Sequence, residues 1–419
     1  MTKKKLLLIL CGLSLPLQSM FAARLEVCPS CSYQTIHSAL ENASDGDQII
    51  IKSGLYREGN IQVTKSVHLL GEGWPVLDGE GQTEILTITA RHVLIEGLEI
   101  RNVGNSYIED RAGIRLRNTR FCTIRNNRLV NTFFGIYLEH SADCVISGNE
   151  VLGEALEENS SGNAIHCWYC QRLTIRDNQV YRHRDGIYFE FVDNSQIFGN
   201  TSKDNLRYGL HFMFSNDDYY YENRFIQNGA GVAVMFSKCI DMDHNIFASN
   251  WGRASYGLLL KELTDTDIRN NSFRENTIGI YVEGCSRIDY HHNEFKQNGW
   301  ALKMSGGCLD NHLQENNFIG NSFDLSTLAS AGTENTFDNN YWSEYSGYDL
   351  DHNGEGDIPY LPMKLFNQIV QQTPEALILL RSLFIDLLNF SEKVSPVFTP
   401  ENIRDLHPKM NPYTLNIRS

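Results

Sequence analysis

Four residues of types that bind soft metal ions lie in nearby repeats of this 419-residue chain. Met213 and Met235 are 22 residues apart, His211 precedes Met213 by two residues, and His166 belongs to an earlier repeat. Thioether and imidazole groups suit Cu(I), whereas Ca²⁺ and Mg²⁺ do not use them. The four residues therefore form a candidate copper site. The alternative is a patch for a protein partner, because exposed Met and aromatic side chains often form one.

A second candidate metal site lies in an acidic segment near the C-terminus. Asp349, Asp351 and Asn353 stand at positions 1, 3 and 5 of a loop, with a Gly at position 6 and Asp357 at position 9. This spacing matches an oxygen cage for Ca²⁺. Position 12 is Tyr rather than Glu, so the loop is not a complete EF-hand. The sequence predicts a structural calcium ion here, and the alternative is a turn that uses Asp and Gly for its shape alone.

Acidic side chains that could catalyse hydrolysis or elimination do not cluster in the sequence. Glycosidases need two carboxylates close together. Glu139 and Glu190 point to the same side, but the repeat between them carries Trp168 there. Asp185 has Tyr208, not a carboxylate, at the matching place in the next repeat. We therefore expect no catalytic residues and a protein that is not an enzyme.

A series of asparagines sets the spacing of all these residues. Its members are Asn127, Asn149, Asn178, Asn200, Asn223, Asn245, Asn271, Asn293, Asn316 and Asn340, with gaps of 22 to 29 residues. Most of them follow, by 14 residues, a Gly that begins a short alternating strand. A fixed period of this length predicts a solenoid, in which each repeat buries its apolar face against its neighbours. We place the asparagines at turns, in the left-handed conformation that Asn tolerates.

The alternation within each strand predicts which side chains point outward. The first and third residues after the Gly are apolar and face the interior, so the second and fourth face out. His211 and Met213 then share the outer face of one strand, Met235 lies beside Met213 in the next coil, and His166 lies two coils away. A series of aromatic residues should stack inside the coils: Phe225, Phe247, Phe273, Phe295 and Phe318.

These patterns predict an all-β protein, a right-handed parallel β-helix of coils of about 22 residues, with a C-terminal helical extension. We divide the chain into a signal peptide at 1–23, the β-helix with its N-terminal cap at 24–340, the calcium-binding loop at 341–363, and a C-terminal helix and tail at 364–419. The signal peptide rests on the lysines at 3–5 and the apolar stretch at 6–17, which is too short to span a membrane. One apolar stripe is expected along the C-terminal helix, formed by Leu377, Leu380, Phe384, Leu387 and Leu388.

The net charge bears on the possible partners, and the cysteines bear on disulfide formation and packing. The net charge of −15 argues against nucleic acid as a partner, because nucleic-acid binding needs a basic surface. Cys28 and Cys31 predict a local disulfide, with a soft-metal site as the alternative. Cys122 and Cys144 each precede an asparagine of the series by five residues, so they should stack as small buried residues.

Four segments together resemble the NosD family, the periplasmic β-helix proteins of nitrous-oxide reductase maturation. They read GLHFMFSND at 209–217, GAGVAVM at 229–235, WGRASYGLLLKE at 251–262 and NNYWSEYSGYDLD at 339–351. The resemblance runs from about residue 25 to 410, and the 209–262 part is specific to the family rather than a generic repeat.

The resemblance implies a non-enzymatic periplasmic accessory factor. Proteins like NosD work with an ABC transporter made of an ATPase and a membrane permease, receive copper from a lipoprotein chaperone, and serve assembly of the copper–sulfide centre of nitrous-oxide reductase. It strengthens the copper interpretation of His211, Met213 and Met235. It also makes the C-terminal helix a candidate for docking on the permease, with capping of the last coil as an alternative or additional role. The alternative function is a periplasmic polysaccharide-active β-helix, such as a polyuronate lyase or epimerase.

Overall fold

The computed structural model describes residues 22–106, 108–252, 255–327, 335–380, 382–394 and 403–415. The signal peptide predicted at 1–23 lies, except for its last two residues, outside this described part. The described chain winds into a parallel β-helix with three sheets of 14, 13 and 12 strands, which we number in chain order. Each regular coil places one strand in sheet 3, the next in sheet 1 and the next in sheet 2. The predicted all-β solenoid is confirmed.

The strands of each sheet are neighbours from successive coils. Sheet 1 comprises Arg24–Val27, Gln48–Lys52, His68–Glu72, Leu94–Glu96, Thr123–Arg125, Val145–Ser147, Thr174–Arg176, Gln196–Phe198, Asn216–Tyr221, Lys238–Asp243, Thr264–Arg269, Ser286–His291, His312–Gln314 and Thr336–Asp338. Sheet 2 comprises Leu55–Tyr56, Val76–Asp78, Glu99–Arg101, Arg128–Val130, Glu150–Leu152, Gln179–Tyr181, Thr201–Lys203, Arg224–Ile226, Ile246–Ala248, Ser272–Arg274, Glu294–Lys296, Asn317–Ile319 and Tyr341–Trp342. Sheet 3 comprises Ile61–Val63, Leu86–Ile88, Ala112–Arg117, Phe134–Glu139, Ile165–Trp168, Ile187–Glu190, Tyr208–Met213, Ala230–Met235, Tyr256–Lys261, Ile278–Glu283, Trp300–Ser305 and Phe323–Thr327.

The asparagine series forms a buried hydrogen-bonded ladder between sheets 1 and 2. Asn200, for example, donates both its backbone N–H and its Nδ2 to Oδ1 of Asn223, each at 3.0 Å. The left-handed backbone conformation belongs instead to the preceding residue, such as Glu222 with a φ of 54°. The predicted left-handed asparagines were therefore misplaced by one residue. The ladder residue points inward because its amide satisfies backbone groups that the turn leaves unpaired.

Inside the coils the predicted aromatic stack is confirmed. Phe247 and Phe273 stack with ring centroids 4.5 Å apart, and Phe295 and Phe318 do so at 4.8 Å. Trp342 ends the stack at 4.1 Å from Phe318. Because identical places on successive coils repeat about every 4.8 Å, one aromatic ring per coil fills this column without gaps.

Both ends of the β-helix carry additional structure. The helix Ile36–Asn42, N-capped by Thr35, buries Ile36, Ala39 and Leu40 against the first coils. At the other end the helix Leu365–Gln372, the 3₁₀ turn Pro374–Leu379 and the helix Leu383–Val394 follow the last coil. A further 3₁₀ turn, Glu158–Ser160, lies in the long repeat before His166.

The single apolar stripe expected on the C-terminal helix is not formed. Leu380 and Leu388 pack with Phe366 and Ile385 against the last coils, whereas Phe384 is 58% exposed. The segment is broken by a 3₁₀ turn, so residues at helical spacing in the sequence do not share one face. Near the N-terminus Cys28 and Cys31 form a disulfide, and Cys122 and Cys144 are buried thiols.

Candidate functional site

Sheet 3 presents two outward columns of side chains, and they carry every predicted copper ligand. Strand pairing places Met213 beside Met235, and Glu190 beside Met213. The same pairing places Tyr188 beside His211 in the other column. This is the register that the alternation predicts. The two thioethers therefore start from backbone positions about 4.8 Å apart, with His211 about 6.6 Å along the strand from Met213.

The two methionines are half-buried and His211 is buried. The His211 side chain is only 3% exposed, and neither ring nitrogen has a hydrogen-bond partner among the described residues. The rings of Tyr188 and Tyr208 lie 4.8 and 4.7 Å from the imidazole. His211 thus points out of the coil but not into solvent, because aromatic neighbours cover it. Period-two alternation predicts the direction of a side chain and says nothing about what covers it.

Asp185 is the acidic group closest to this histidine. It is 1% exposed, and its Oδ2 lies 3.7 Å from Nδ1 of His211. Its Oδ1 accepts the backbone N–H of Tyr208 at 3.3 Å and lies 3.7 Å from Nε of Arg207. Sequence reasoning compared Asp185 only with the matching residue of the next coil, Tyr208, and missed its diagonal contact with His211. The sequence signal that could have pointed to Asp185 is its place directly before Gly186, the Gly that begins the strand of its repeat.

His166 lies apart from the other predicted ligands. Its ring is sandwiched between Tyr137 and Tyr188, with centroid distances of 4.4 and 4.9 Å. Asn163 lies at hydrogen-bond distance from its Nδ1, with 3.0 Å between Nδ2 and Nδ1. Burial lowers the pKa of His166 to about 3, so the ring is neutral near pH 7. The structure places the ring of Tyr188 between His166 and His211. Strand register places His211 and Met213 on one strand, with Met235 beside Met213 on the next.

An exposed aromatic strip runs beside the methionines. One ring per coil stacks on the next, and its members are His140, Tyr169, Phe191, Phe214 and Phe236. Phe214 and Phe236 directly follow Met213 and Met235 and are 41% and 42% exposed. The strip spans four coil spacings, about 19 Å. Contiguous exposed apolar surface of this kind marks an interaction site in soluble proteins.

A polar cleft of about 870 Å³ lies on the same face, towards the N-terminus. Two of its carboxylates form ion pairs with arginines: Glu84 with Arg115 at 2.8 Å, and Glu139 with Arg117 at 3.1 Å. Trp168 pairs with Glu139 on one side and Glu190 on the other, so it separates these two carboxylates as the sequence predicts.

The predicted calcium loop folds as a hydrogen-bonded turn. Asp349 accepts the backbone N–H groups of Asn353 and Gly354 at 3.1 and 2.9 Å, and Asp351 accepts that of Asn353 at 3.3 Å. Asp357 accepts the N–H of Leu350 at 2.8 Å. Partial desolvation works to raise the pKa of Asp349, but the N–H donors outweigh it and lower that pKa.

Neither predicted site is a preformed cage of hard or nitrogen ligands. Within the described ranges, no three His, Cys, Asp or Glu side chains converge so as to hold a metal ion. The copper candidate is a different kind of site, because Met213 and Met235 supply thioethers beside the imidazole of His211. The donor set of one imidazole and two thioethers fits Cu(I), for which soft ligands and low coordination numbers suffice.

The three-sheet parallel coil defines a protein of the β-helix class. A GH87 α-1,3-glucanase catalytic domain has the same fold (TM-score 0.59, 10% identity, covering 77% of this chain and 69% of that one). A mannuronic-acid-specific family 6 polysaccharide lyase from human gut microbiota has it too (TM-score 0.55, 13% identity, covering 73% and 83%). At these identities the likeness concerns the fold alone.

The sequence assigns the family. It matches the family described as "Periplasmic copper-binding protein (NosD)" over residues 40–156 and 153–347, and the chain belongs to that family. It is 29% identical over 389 residues to the "Probable ABC transporter binding protein NosD" of Pseudomonas aeruginosa, covering 88% of this chain and 89% of that one. It is 28% identical over 372 residues to the protein of the same description from Stutzerimonas stutzeri, covering 84% of each. In the part of the chain that the structure describes, no helix is long and apolar enough to cross a membrane.

Proposed function

We propose that this protein is a periplasmic accessory subunit of an ABC transporter system that handles Cu(I) for assembly of the copper–sulfide centre of nitrous-oxide reductase. The observation that carries the proposal is the pairing of Met213 with Met235 beside His211, a buried imidazole with two unpartnered nitrogens. Family membership and the description of the relatives as ABC transporter binding proteins support it. His166 lies two coils away, so it binds copper separately on the same face and is not a fourth ligand of this site.

The site suits transient binding. Two half-buried thioethers and one imidazole bind Cu(I) without the charge of thiolates, so copper can pass on to a stronger site. The surrounding rings of Tyr188 and Tyr208 limit access of water to His211. No redox change is needed for such transfer, because the metal stays Cu(I) throughout.

Two apolar surfaces serve the partners. The aromatic strip borders the methionines, so a copper-donating lipoprotein chaperone docked there delivers its ion next to Met213 and Met235. The C-terminal helices expose a second surface, with Ile378 89%, Leu383 73% and Phe390 66% exposed. Because Phe366, Val370 and Ile385 already bury the other face against the last coil, this surface is free for the transporter permease. The transporter ATPase and nitrous-oxide reductase complete the proposed set of partners.

The proposal includes a Ca²⁺ ion with a structural role, bound by Asp349, Asp351, Asn353 and Asp357. The oxygen ligands fit Ca²⁺, and the ion would replace the backbone N–H groups as the partner of some carboxylate oxygens.

A polysaccharide-active function is the second candidate, and the 870 Å³ polar cleft is the observation that favours it. A lyase would release unsaturated uronate ends, which absorb ultraviolet light. Incubation with polymannuronate and polygalacturonate therefore tests for a lyase, and proton NMR of the incubated polymers tests for an epimerase, whose product does not absorb. The copper-handling proposal predicts no change in either signal relative to a heat-inactivated control.

The proposal is tested in a denitrifying host from which the corresponding gene has been removed. Complementation with the wild-type protein should restore the copper content and visible absorption of purified nitrous-oxide reductase. The Met213→Ala/Met235→Ala variant should leave the copper–sulfide centre depleted, whereas Met410→Ala, which removes a half-buried Met from the C-terminal tail, should behave as wild type. Full loading of the reductase in the double variant would exclude these methionines from the pathway.

A further inference from the structure

We propose that Asp185 is a positioning residue for His211, holding the imidazole with its proton on Nδ1 and leaving Nε2 free to bind Cu(I). The inference rests on the proposed copper site at His211, Met213 and Met235, and it assigns a role to a residue outside that ligand set. Histidines that bind metals commonly donate their second ring N–H to a carboxylate, which fixes the tautomer and the orientation of the ring.

The carboxylate is itself held in place. Asp185 is 1% exposed, and its Oδ1 accepts the backbone N–H of Tyr208. That bond leaves Oδ2 as the oxygen that faces Nδ1 of His211, at 3.7 Å. The gap exceeds a normal N–H···O distance by about 0.8 Å. Closing the gap requires a rotation of the imidazole about its second side-chain torsion, which is broad in His.

The imidazole has no competing partner. Both of its nitrogens lack a hydrogen bond within the described residues, and the flanking rings of Tyr188 and Tyr208 are each tilted by 56° to it. A neutral imidazole carries one N–H and one lone pair. With the N–H directed at Asp185, the lone pair falls on Nε2, which is the form that binds a metal ion.

Arg207 gives Asp185 an alternative, purely structural role, since its Nε lies 3.7 Å from Oδ1 of Asp185. In that role the carboxylate would neutralise the guanidinium and leave the tautomer of His211 unaffected. The tautomer of the metal-free protein therefore separates the two roles, and it does so without copper.

The first measurement is long-range ¹H–¹⁵N NMR of the metal-free protein with ¹⁵N-labelled histidine. The His211 signals are assigned by their loss in His211→Gln. We expect wild-type His211 to carry its proton on Nδ1. A proton on Nε2 in the wild-type protein overturns the inference, and this result does not depend on the folding of any Asp185 variant.

The second measurement is Cu(I) affinity by competition with a chelator. In Asp185→Asn the amide oxygen can still accept from Tyr208, so the amide NH₂ faces Nδ1 and moves the ring proton to Nε2. We expect a tenfold or greater loss of Cu(I) affinity. Asp324→Asn, which changes another buried carboxylate on the last strand of sheet 3, five coils from His211, is the matched control and should change the affinity less than twofold.

The outcomes distinguish the two proposals. Loss of affinity in Met213→Ala/Met235→Ala with full affinity in Asp185→Asn overturns the role of Asp185 and leaves the copper site standing. Unchanged affinity in the methionine variant removes the copper site, and the role of Asp185 as a metal-ligand positioner falls with it.

Discussion

Asp405 lies at the end of the asparagine ladder and takes the place of the next asparagine after Asn340. Its Oδ2 accepts the backbone N–H and Nδ2 of Asn340 at 2.9 and 3.0 Å, the two bonds that each ladder residue makes with its successor. The indole Nε1 of Trp342 donates to the same oxygen at 2.9 Å. The C-terminal tail therefore completes the last coil and supplies the acceptor for its otherwise unpaired donors, as solenoid ends require.

Replacing Asp405 by Ala should lower the free energy of unfolding by at least about 2 kcal/mol, because three buried donors lose their acceptor. Chemical denaturation followed by circular dichroism measures the effect. The control is Asp338→Ala, which removes a more exposed carboxylate that pairs with His407 of the same tail at 2.7 Å. That change should cost less than about 1 kcal/mol. Equal losses in the two variants would contradict the role of Asp405 in ending the ladder.

Two phenylalanines one coil apart should differ in what their truncation to Ala affects, which is stability for one and partner binding for the other. Phe247 is fully buried in the internal stack, so Phe247→Ala should cost about 3–5 kcal/mol of stability. Phe214 is 41% exposed in the aromatic strip, so Phe214→Ala should cost less than about 1.5 kcal/mol and instead weaken binding of the copper-donating partner. Denaturation and a pull-down with the lipoprotein chaperone check both. A large stability loss at Phe214 would show the strip to be core.

The two buried histidines His183 and His166 should each destabilise the fold as the pH falls from 6.5 towards 4. Burial lowers the pKa of His183 to about 4 and that of His166 to about 3, below the ordinary value of 6.5. The unfolded chain then binds a proton that the folded chain does not, so the stabilisation is present above pH 6.5 and is lost as the pH falls. Each histidine contributes about 2 kcal/mol to the difference between pH 7 and pH 5.

Guanidinium unfolding at the two pH values measures this difference, and His183→Gln isolates one contribution. The variant should lose about 2 kcal/mol of the difference. An unchanged difference would mean that His183 titrates normally in the folded protein.

Much of this arrangement is predictable from the sequence, and the exceptions have a common cause. The 22-residue spacing of Met213 and Met235 corresponds to one coil, so their pairing follows from the period and the alternation alone. The burial of His211 and its contact with Asp185 depend on how the side chains of one coil lean over the next, which periodicity does not encode. The conformation of the ladder asparagines was also predicted wrongly, because the left-handed residue of each turn is the one before the Asn, and the spacing alone does not show which residue of the turn it is.

The C-terminal region shows a second limit. Asp405 is 65 residues from Asn340, and no repeat connects the two, so nothing in the sequence pattern predicts their contact. The apolar residues after Pro374 have helical spacing, yet Phe384 is exposed and Ile385 is buried, because the path of the chain after the 3₁₀ turn decides which face meets the coil.

Removal of calcium should loosen the loop that contains Asp349 and Asp351. Without the ion the carboxylates depend on backbone N–H donors alone, so chelation should speed proteolysis at 349–360 and lower the melting temperature. Mass spectrometry of the cleavage products locates the effect. The Asp349→Ala/Asp351→Ala variant should be insensitive to the chelator. A wild-type protein that is equally insensitive would argue that the loop is a turn without an ion.

The most direct test of the central claim is an anaerobic Cu(I) titration of the protein against a competing chelator. We expect the wild-type protein and Met410→Ala to bind one Cu(I) with the same affinity, and Met213→Ala/Met235→Ala to lose at least tenfold in affinity while keeping its melting temperature. Affinity and stoichiometry that are unchanged in the double variant would contradict a copper site on the outer face of sheet 3.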